Sequence, residues 1–347
     1  MARSVPPPDP SGPHRRRPAL RAAWRGFRRS PFLAGTVLVA IIAAAAGLFA
    51  GSYCIAMANP TPHRFPMAVT GSSPVGGRLI GALEQTLNAS IDVHRFPDER
   101  SALQAVDRQE VFAVLRLRPD RAQLQTASAA GASMARVLAQ AAPRAGAAAG
   151  IPVSVRDIRP LQHTDPQGLA IFYISLAGVV VGFIGAIQLS VHAGGLNPGE
   201  RIAFTAAYAA LGALSICAVV DWLLGVLDLP FLESWGILAL TMFASGMVFT
   251  MFNTLIRRWA MLPTWGLMVM LGNPSSGGAV SWPLLPTPLG SIGRWLPPGA
   301  SVNAQHTAIY FGRNQHLFPF LVLICWAALG TAVFVVWRER HPGGRTS

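Results

Sequence analysis

Acidic side chains inside apolar sequence are the residues of this chain whose position could support chemistry within a membrane. Asp221 lies in the apolar run 202–227, and Asp228 and Glu233 lie near the end of that run. A carboxylate at the centre of a membrane helix costs about 2.5–3.5 kcal/mol on insertion scales, and such residues are often functional. Two interpretations of Asp221 stay open: a functional intramembrane acid, or a carboxylate that reaches interfacial water or an Arg of a neighbouring loop.

The sequence contains no pattern typical of a catalytic or metal centre, and it predicts neither an enzyme nor a cofactor. There is no His-Glu-x-x-His motif, and Asp221 and Asp228 lie on one run with Asp228 at its end. His63, His94 and His163 are too scattered to form a ligand set. The chain has no Lys, which excludes a Walker A phosphate loop and Schiff-base chemistry. The cysteines lie in apolar runs, as packing residues do: Cys54, Cys217 and Cys325.

The most unusual stretch begins as an apolar run at 259–271 and then stops. This run is too short for a crossing, which needs about 20 residues. A segment rich in Gly and Pro follows, and irregular backbone at membrane depth survives only where it is buried in protein or lines a wet cavity. We predict that 272–286 is a re-entrant segment and that its first part lines a substrate pathway: Gly272, Asn273, Pro274, Ser275, Ser276, Gly277 and Gly278.

The composition predicts a multi-span membrane protein with room for about one small soluble domain. Of the 347 residues, 52% are apolar and only 12% are charged, and the net charge is +13. Eight Arg precede the first apolar run and most others flank later runs or mix with acids in one loop, which fits membrane orientation better than nucleic-acid binding. We therefore predict no nucleic-acid partner. The absence of Lys and the abundance of Ala, Gly, Pro and Arg indicate a GC-rich bacterial genome.

Six apolar runs divide the chain, and the long polar stretch after the first run predicts a soluble domain. The predicted transmembrane helices are 31–57, 168–191, 202–227, 231–256, 259–271 and 315–337. The other predicted segments are a basic tail with an amphipathic interfacial helix at 1–30, an α+β domain at 59–166, an outer loop at 287–314 and a tail at 338–347. A plain positively charged leader remains the alternative to the interfacial helix.

The segment 59–166 alternates between strand-like and helix-like hydrophobic patterns, which predicts a small α+β domain. Its Arg and acidic residues are interspersed, as on an ordinary solvated surface. The predicted strands are 65–69, 91–96, 111–117 and 153–158, and the predicted helices are 76–88, 99–108 and 131–142.

The Arg content of the loops predicts the orientation of the chain. The proposed inner segments carry Arg201, Arg257 and Arg258 besides both Arg-rich ends, whereas the short outer segments carry only Arg294 and Arg313. Six crossings with both termini in the cytoplasm satisfy this rule, whereas five would place the C-terminal Arg cluster outside. We predict a multi-pass protein of the bacterial cytoplasmic membrane, in contact with membrane lipids, whose α+β domain is extracytoplasmic.

Three short motifs and one preceding segment are similar to those of a known family. The motifs are Leu271-Gly272-Asn273-Pro274-Ser275-Ser276-Gly277-Gly278, Trp295-Leu296-Pro297-Pro298-Gly299-Ala300 and Tyr310-Phe311-Gly312, and the segment is Asp165-Pro166-Gln167-Gly168-Leu169. With the layout of spans, they resemble the ABC type-2 exporter permeases, in particular the phage-infection-protein-like branch. The resemblance covers roughly residues 30–340 and is most specific over 271–312.

The resemblance implies a permease subunit, generally dimeric, that moves a hydrophobic or amphipathic substrate across the membrane. It also implies a re-entrant hairpin after the fifth helix and a contact between an inner turn and a separate ATPase. The turn is short and Gly-rich, not an obvious coupling helix, and the chain carries no ATPase of its own. The alternative is a non-transporting receptor or scaffold whose outer domain binds envelope or secretion components. The implied ATPase contact comprises Asn197, Pro198, Gly199, Glu200 and Arg201.

Overall fold

The computed structural model describes residues 31–57 and 62–341. The predicted interfacial helix within 1–30 and the end of the tail, 342–347, lie outside these residues. The chain divides into two compact units, Met1–Gly51 and Ser52–Ser347. The first helix, α1, spans Pro31–Met57, because small and aliphatic residues fill this run without a break.

The segment after α1 folds into an α/β domain with one mixed five-stranded sheet. The strands are β1 Arg64–Thr70, β2 Ser90–Phe96, β3 Ala113–Leu117, β4 Ala122–Thr126 and β5 Val153–Asp157, and the helices are α2 Gly76–Leu87, α3 Glu99–Asp107 and α4 Ala132–Ala149. The strand order is β2-β1-β3-β4-β5. Only the β3–β4 pair is antiparallel, and the other pairs are parallel. β4 is absent from the predicted strands.

Alternating side chains of the central strands build two hydrophobic cores, one on each face of the sheet. Phe65 and Met67 of β1 point to the face that α2 and α4 cover, and both are fully buried there. Ala68 lies between Met67 and Val69 in β1 and points to the opposite face of the sheet. Ala102 and Val106 of α3 pack against it there. The sheet is therefore covered by helices on both faces, which explains why its central strands read as nearly continuous apolar runs.

Helix α4 continues past the point where the sequence predicted its end. The predicted helix stopped at Ala142, and the next residue, Pro143, lacks the backbone N–H that a helix interior uses. In the structure Pro143 is exposed and the helix runs on to Ala149, ending at Gly150 with a φ of 72°. Burial of Ala145 against the sheet outweighs the local cost of Pro143.

The remaining chain is almost entirely helical. The helices are α5 Ala170–His192, α6 Pro198–Cys217, α7 Phe231–Ile256, α8 Met261–Trp265, α9 Thr287–Gly293, α10 Pro297–Phe311 and α11 Leu317–Arg340. π-Helical turns extend α6 through Ala218–Leu223 and α8 through Gly266–Leu271. The predicted helix 202–227 thus ends at Leu223, and Gly225 then takes a φ of 60° in the turn toward α7.

Five helices of the described residues are long and apolar enough to cross a membrane. They are Phe32–Met57, Ala170–His192, Pro198–Leu223, Phe231–Trp259 and Leu317–Arg340. The sequence predicted six spans, and the remaining one, Met261–Leu271, is an apolar helix shorter than a bilayer crossing.

Polar contacts show which ends of the helices lie beside the α/β domain. The carboxylate of Asp165 accepts hydrogen bonds from the backbone N–H groups of Leu169 and Ala170 at 3.1 and 3.0 Å, where α5 begins. The side chain of Gln162 bonds both backbone groups of Asp228, with its Oε1 accepting at 2.7 Å and its Nε2 donating at 3.1 Å. The start of α5 and the turn between α6 and α7 therefore lie at the domain-side end of the bundle.

Helix α7 is the central helix of the bundle and packs against α5, α6, α10 and α11. Glycines permit this close packing, because a Cβ on Gly182 would lie 2.6 Å from the carbonyl oxygen of Met242, and one on Gly330 would lie 2.7 Å from that of Met247. The hydroxyl of Tyr208 donates to the carbonyl oxygen of Gly182 at 2.7 Å and ties α6 to α5.

Candidate functional site

The segment that follows α8 has irregular backbone and is buried within the protein. Residues 272–276 are all buried. The Nδ2 of Asn273 donates to the hydroxyl of Tyr53 at 2.6 Å, and the hydroxyl of Ser275 donates to the carbonyl oxygen of Leu271 at 2.7 Å. The Ser275 hydroxyl thus satisfies a backbone carbonyl, and the buried Asn273 amide has a side-chain partner, as buried polar groups require.

Glycines and one tryptophan hold this segment in its conformation. Gly293 and Gly299 have no room for a side chain, since a Cβ would collide with the carbonyl oxygen of Ser275 in the first case and of Gly293 in the second. Gly277 has a φ of 82° and lies against the indole of Trp282. The indole Nε1 donates to the carbonyl oxygen of Ser275 at 3.2 Å, which closes the turn.

The chain from Trp282 to Phe311 leaves the domain-side end of the bundle and then returns to it. The indole of Trp326, about 14 Å along α11 from its first residue, donates to the carbonyl oxygen of Trp295 at 2.8 Å. Helix α10 then runs back between α5, α7 and α11, where the hydroxyl of Thr241 donates to that of Ser301 at 2.9 Å. We call residues 282–311 the hairpin.

The α/β domain docks on the hairpin and on the segment before it through polar contacts. Ser133 at the start of α4 pairs with Ser281, with the two hydroxyl oxygens 2.8 Å apart and the backbone N–H of Ser281 donating to Ser133 at 2.9 Å. The Nε2 of Gln109 donates to the hydroxyl of Thr307 at 2.9 Å. The α/β domain is therefore bonded both to the residue just before the hairpin and to helix α10 within the hairpin.

A cavity of about 900 Å³ lies between the α/β domain, the hairpin and the helices. Its size is within the range of small-molecule sites, and its lining combines aromatic and aliphatic side chains with hydroxyl, amide and imidazole groups. The domain contributes Phe112 and Ser133, the hairpin contributes Trp282 and Asn303, and α5 contributes Ile171.

One guanidinium faces this cavity without a carboxylate partner among the described residues. Arg294 lies over the ring of Trp282, 5.8 Å from its centroid, and is absent from the ion pairs of the described chain. This arrangement places a positive charge beside an aromatic surface. The other lining charges are already paired: Arg64 with Asp92 at 3.3 Å and Glu110 with Arg108 at 3.5 Å.

His306 is the histidine of the cavity wall that is most enclosed. It lies on α10 with its ring 5.5 Å from that of Tyr310, centroid to centroid. Burial disfavours the imidazolium and lowers the pKa of His306 to about 4. His306 is therefore neutral at physiological pH and offers hydrogen bonding rather than charge to the cavity.

Two serine hydroxyls of the cavity wall lie beside each other. The hydroxyls of Ser133 and Ser281 bond each other instead of a base, so neither has the environment of an activated nucleophile. Within residues 31–57 and 62–341, no group of three or more His, Cys, Asp or Glu side chains could hold a metal ion. The lining instead combines an apolar surface with one unpaired cation.

The residues predicted from the sequence fall in three different places. Of the segment 272–278, Ser276, Gly277 and Gly278 line the cavity and the preceding residues form the buried support behind them. Asp221 is half-buried in the π-helical end of α6 and is not part of the cavity lining. The turn 197–201 lies at the far end of α6, where the backbone N–H of Asn197 donates to the Glu200 carboxylate at 2.8 Å.

Sequence reasoning missed several residues of the cavity wall. Ser133 and His306 carry no motif, and they meet only because the α/β domain folds onto the hairpin. The indole of Trp282 donates to the Ser275 carbonyl oxygen and lies beneath the guanidinium of Arg294. The signal that could have found Trp282 is its position five residues after Gly277, whose backbone leaves space only for a flat ring.

The fold is that of a multi-pass helical membrane protein with an α/β domain at one end of its bundle. Comparison with protein-family models, with curated proteins and with solved structures gives no match.

Proposed function

We propose that this chain is the permease subunit of an ABC-2-like export system in the bacterial cytoplasmic membrane. The observation that carries the proposal is the buried irregular segment 272–278, which forms part of the cavity wall instead of completing a helix. Irregular backbone at membrane depth is tolerated where it lines a cavity or a pathway. A simple membrane anchor has no use for such a segment.

In membrane terms, the re-entrant part is the hairpin, 282–311, rather than the predicted 272–286. It enters from the outer side, and the α/β domain is extracytoplasmic. Helix α8 together with 272–281 makes the fifth crossing, so the chain crosses six times with both ends in the cytoplasm. The Arg-rich ends and the exposed Arg257 and Arg258 then lie inside, as the positive-inside rule expects.

The substrate class follows from the cavity lining. Aromatic and aliphatic side chains favour a hydrophobic part, and the unpaired Arg294 over Trp282 favours a polar or anionic head. The proposed substrate is therefore amphipathic, and the cavity is the last binding position before release. Energy comes from a separate ATPase that contacts the turn 197–201, and the working unit is a dimer.

Everted membrane vesicles from the source organism test this proposal, since they contain any separate ATPase. The probe is a dansyl-labelled fatty acid, and ATP addition is expected to drive its accumulation in vesicles that contain the protein. Gly293→Leu is expected to abolish most of this accumulation, because its side chain would displace the Ser275 carbonyl. Gly266→Leu is the matched control, since nothing lies within 4 Å of a Cβ there.

The result counts only if both variants elute from gel filtration as the wild-type protein does. ATP-dependent accumulation that is equal in vesicles with and without the wild-type chain would refute the permease proposal.

The second candidate function is a receptor or scaffold, and the part of the cavity wall that the α/β domain supplies favours it. A strain that lacks the gene distinguishes the two functions. If the chain is a receptor, the Gly293→Leu variant should still reverse the defect of this strain. A chain that lacks residues 62–166 should not reverse it. A permease should fail in both cases.

A further inference from the structure

Arg201 is a buried charge at the end of the bundle remote from the α/β domain. It is the fourth residue of α6 and only 9% of its surface is exposed. A guanidinium remains protonated in proteins, so it cannot lower the cost of burial by losing its proton. Burial of a charge without a partner costs several kcal/mol, and buried charges are therefore paired in stable proteins.

The described residues supply no anion for this charge. The Nε and Nη2 atoms of Arg201 are buried and have no hydrogen-bond partner. Its neighbour Glu200 is engaged elsewhere, because its carboxylate caps α6 by accepting from the backbone N–H of Asn197. Arg201 takes part in none of the ion pairs between described side chains. The ring of Phe334, 6.0 Å from the guanidinium, provides only a weak cation–π contact.

A second cation approaches the same place from α11. Arg338 lies one helical turn beyond Phe334, and its positive charge acts on Arg201. Like charges in a region of low dielectric constant repel, which adds to the cost of leaving Arg201 without an anion.

The surface around this end of the bundle indicates where the anion comes from. Large apolar side chains are exposed toward this end of the bundle, including Phe204, three residues along α6, and Val191, near the end of α5. Acyl chains cover such side chains in a membrane, and basic pockets between transmembrane helices bind lipid headgroups.

We propose that Arg201 binds the phosphate group of an anionic phospholipid. The planar guanidinium suits the phosphate group, because it can donate to more than one phosphate oxygen. The site is separate from the cavity at the domain-side end, and it shares Arg201 with the turn 197–201 of the proposed ATPase contact.

The purified full chain tests this site in nanodiscs of phosphatidylcholine alone or with phosphatidylglycerol in equal parts. Phosphatidylglycerol is expected to raise the thermal midpoint of the wild-type protein. Arg201→Met should lose this rise without a lower midpoint in phosphatidylcholine, because Met keeps the packing and removes an unpaired charge. In a titration of the detergent-solubilised protein, Arg201→Met should weaken binding of phosphatidylglycerol about tenfold or more.

Arg258→Met is the matched control, since Arg258 is exposed at the same end of the bundle and should keep the response. Arg201→Lys retains the charge and should keep part of the response to phosphatidylglycerol. This variant distinguishes the loss of the charge from damage to the fold. A full response in Arg201→Met would overturn the proposal. Inorganic phosphate at millimolar concentration should not reproduce the response, and if it does, a lipid is not the ligand.

Discussion

At the scale of single residues, burial in the cavity wall changes the protonation of a side chain. His306 is the clearest case, because the same imidazole would titrate near pH 6.5 in an unfolded chain. In the folded protein its pKa is about 4. Between about pH 6.5 and pH 4 the folded imidazole therefore stays neutral, whereas the imidazole of the unfolded chain binds a proton. The protein must therefore lose stability as the pH falls from about 6.5 toward 4.

His306→Gln should make the protein less sensitive to acid. The depressed pKa corresponds to a loss of at most about 2 kcal/mol at pH 5 relative to neutral pH, and Gln carries no proton to bind. The measurement is the apparent thermal midpoint in detergent at pH 7.5 and pH 5. His316→Gln is the control, because His316 lines the cavity but is exposed. Equal acid sensitivity in His306→Gln and the wild type would contradict the assignment.

At the scale of secondary structure, the long apolar helices follow from the sequence and the shorter elements do not. α1 and α7 begin and end where the hydrophobic runs do, because each run is continuous and bounded by polar, Gly or Pro residues. β4 was missed because Ala122–Thr126 is short and three of its five residues are Ala or Gln. Antiparallel pairing with β3 stabilises it. The π-helical end of α6 likewise has no sequence pattern of its own.

The helix glycines predict opposite effects for two identical substitutions. Gly182→Ala should destabilise the bundle by about 1–3 kcal/mol, because its Cβ would lie 2.6 Å from the Met242 carbonyl oxygen on the central helix. Gly236→Ala should be neutral or stabilise by up to about 1 kcal/mol, since nothing lies within 4 Å and Ala is the better helix former. Apparent thermal midpoints of the two variants in one detergent provide the comparison. A fall of equal size in both would mean that α5 and α7 do not approach as closely as described.

At the scale of the whole molecule, the site depends on contacts that no local pattern contains. The composition and the apolar runs indicate a multi-pass membrane protein, and the break after Leu271 indicates an unusual segment. The cavity itself requires Ser133 to meet Ser281, and these residues are 148 positions apart. Such a pair cannot be found from a single sequence, because nothing in either neighbourhood specifies the other.

Cysteine labelling with a membrane-impermeant maleimide tests the arrangement in intact cells. Asp120→Cys, exposed on the α/β domain, should react from outside, whereas Arg258→Cys should react only after permeabilisation. Ser275→Cys should resist the reagent in both conditions, because Ser275 is fully buried. The background has Ala in place of the native cysteines: Cys54, Cys217 and Cys325.

Labelling of Ser275→Cys as fast as that of Asp120→Cys would show that 272–278 is an ordinary surface loop. The argument for a pathway beside this segment would then lose its main support.

The docking of the hairpin on the α/β domain also sets an order of events while the protein is being made. The ribosome completes the domain long before Ser281 and the hairpin emerge, so these late residues meet a partner that has already folded. The buried backbone after α8 cannot reach its final surroundings earlier, because both the domain and α10 enclose it. A folding defect in the α/β domain should therefore also disturb the segment after α8 and the hairpin, although these lie far from the domain in the sequence.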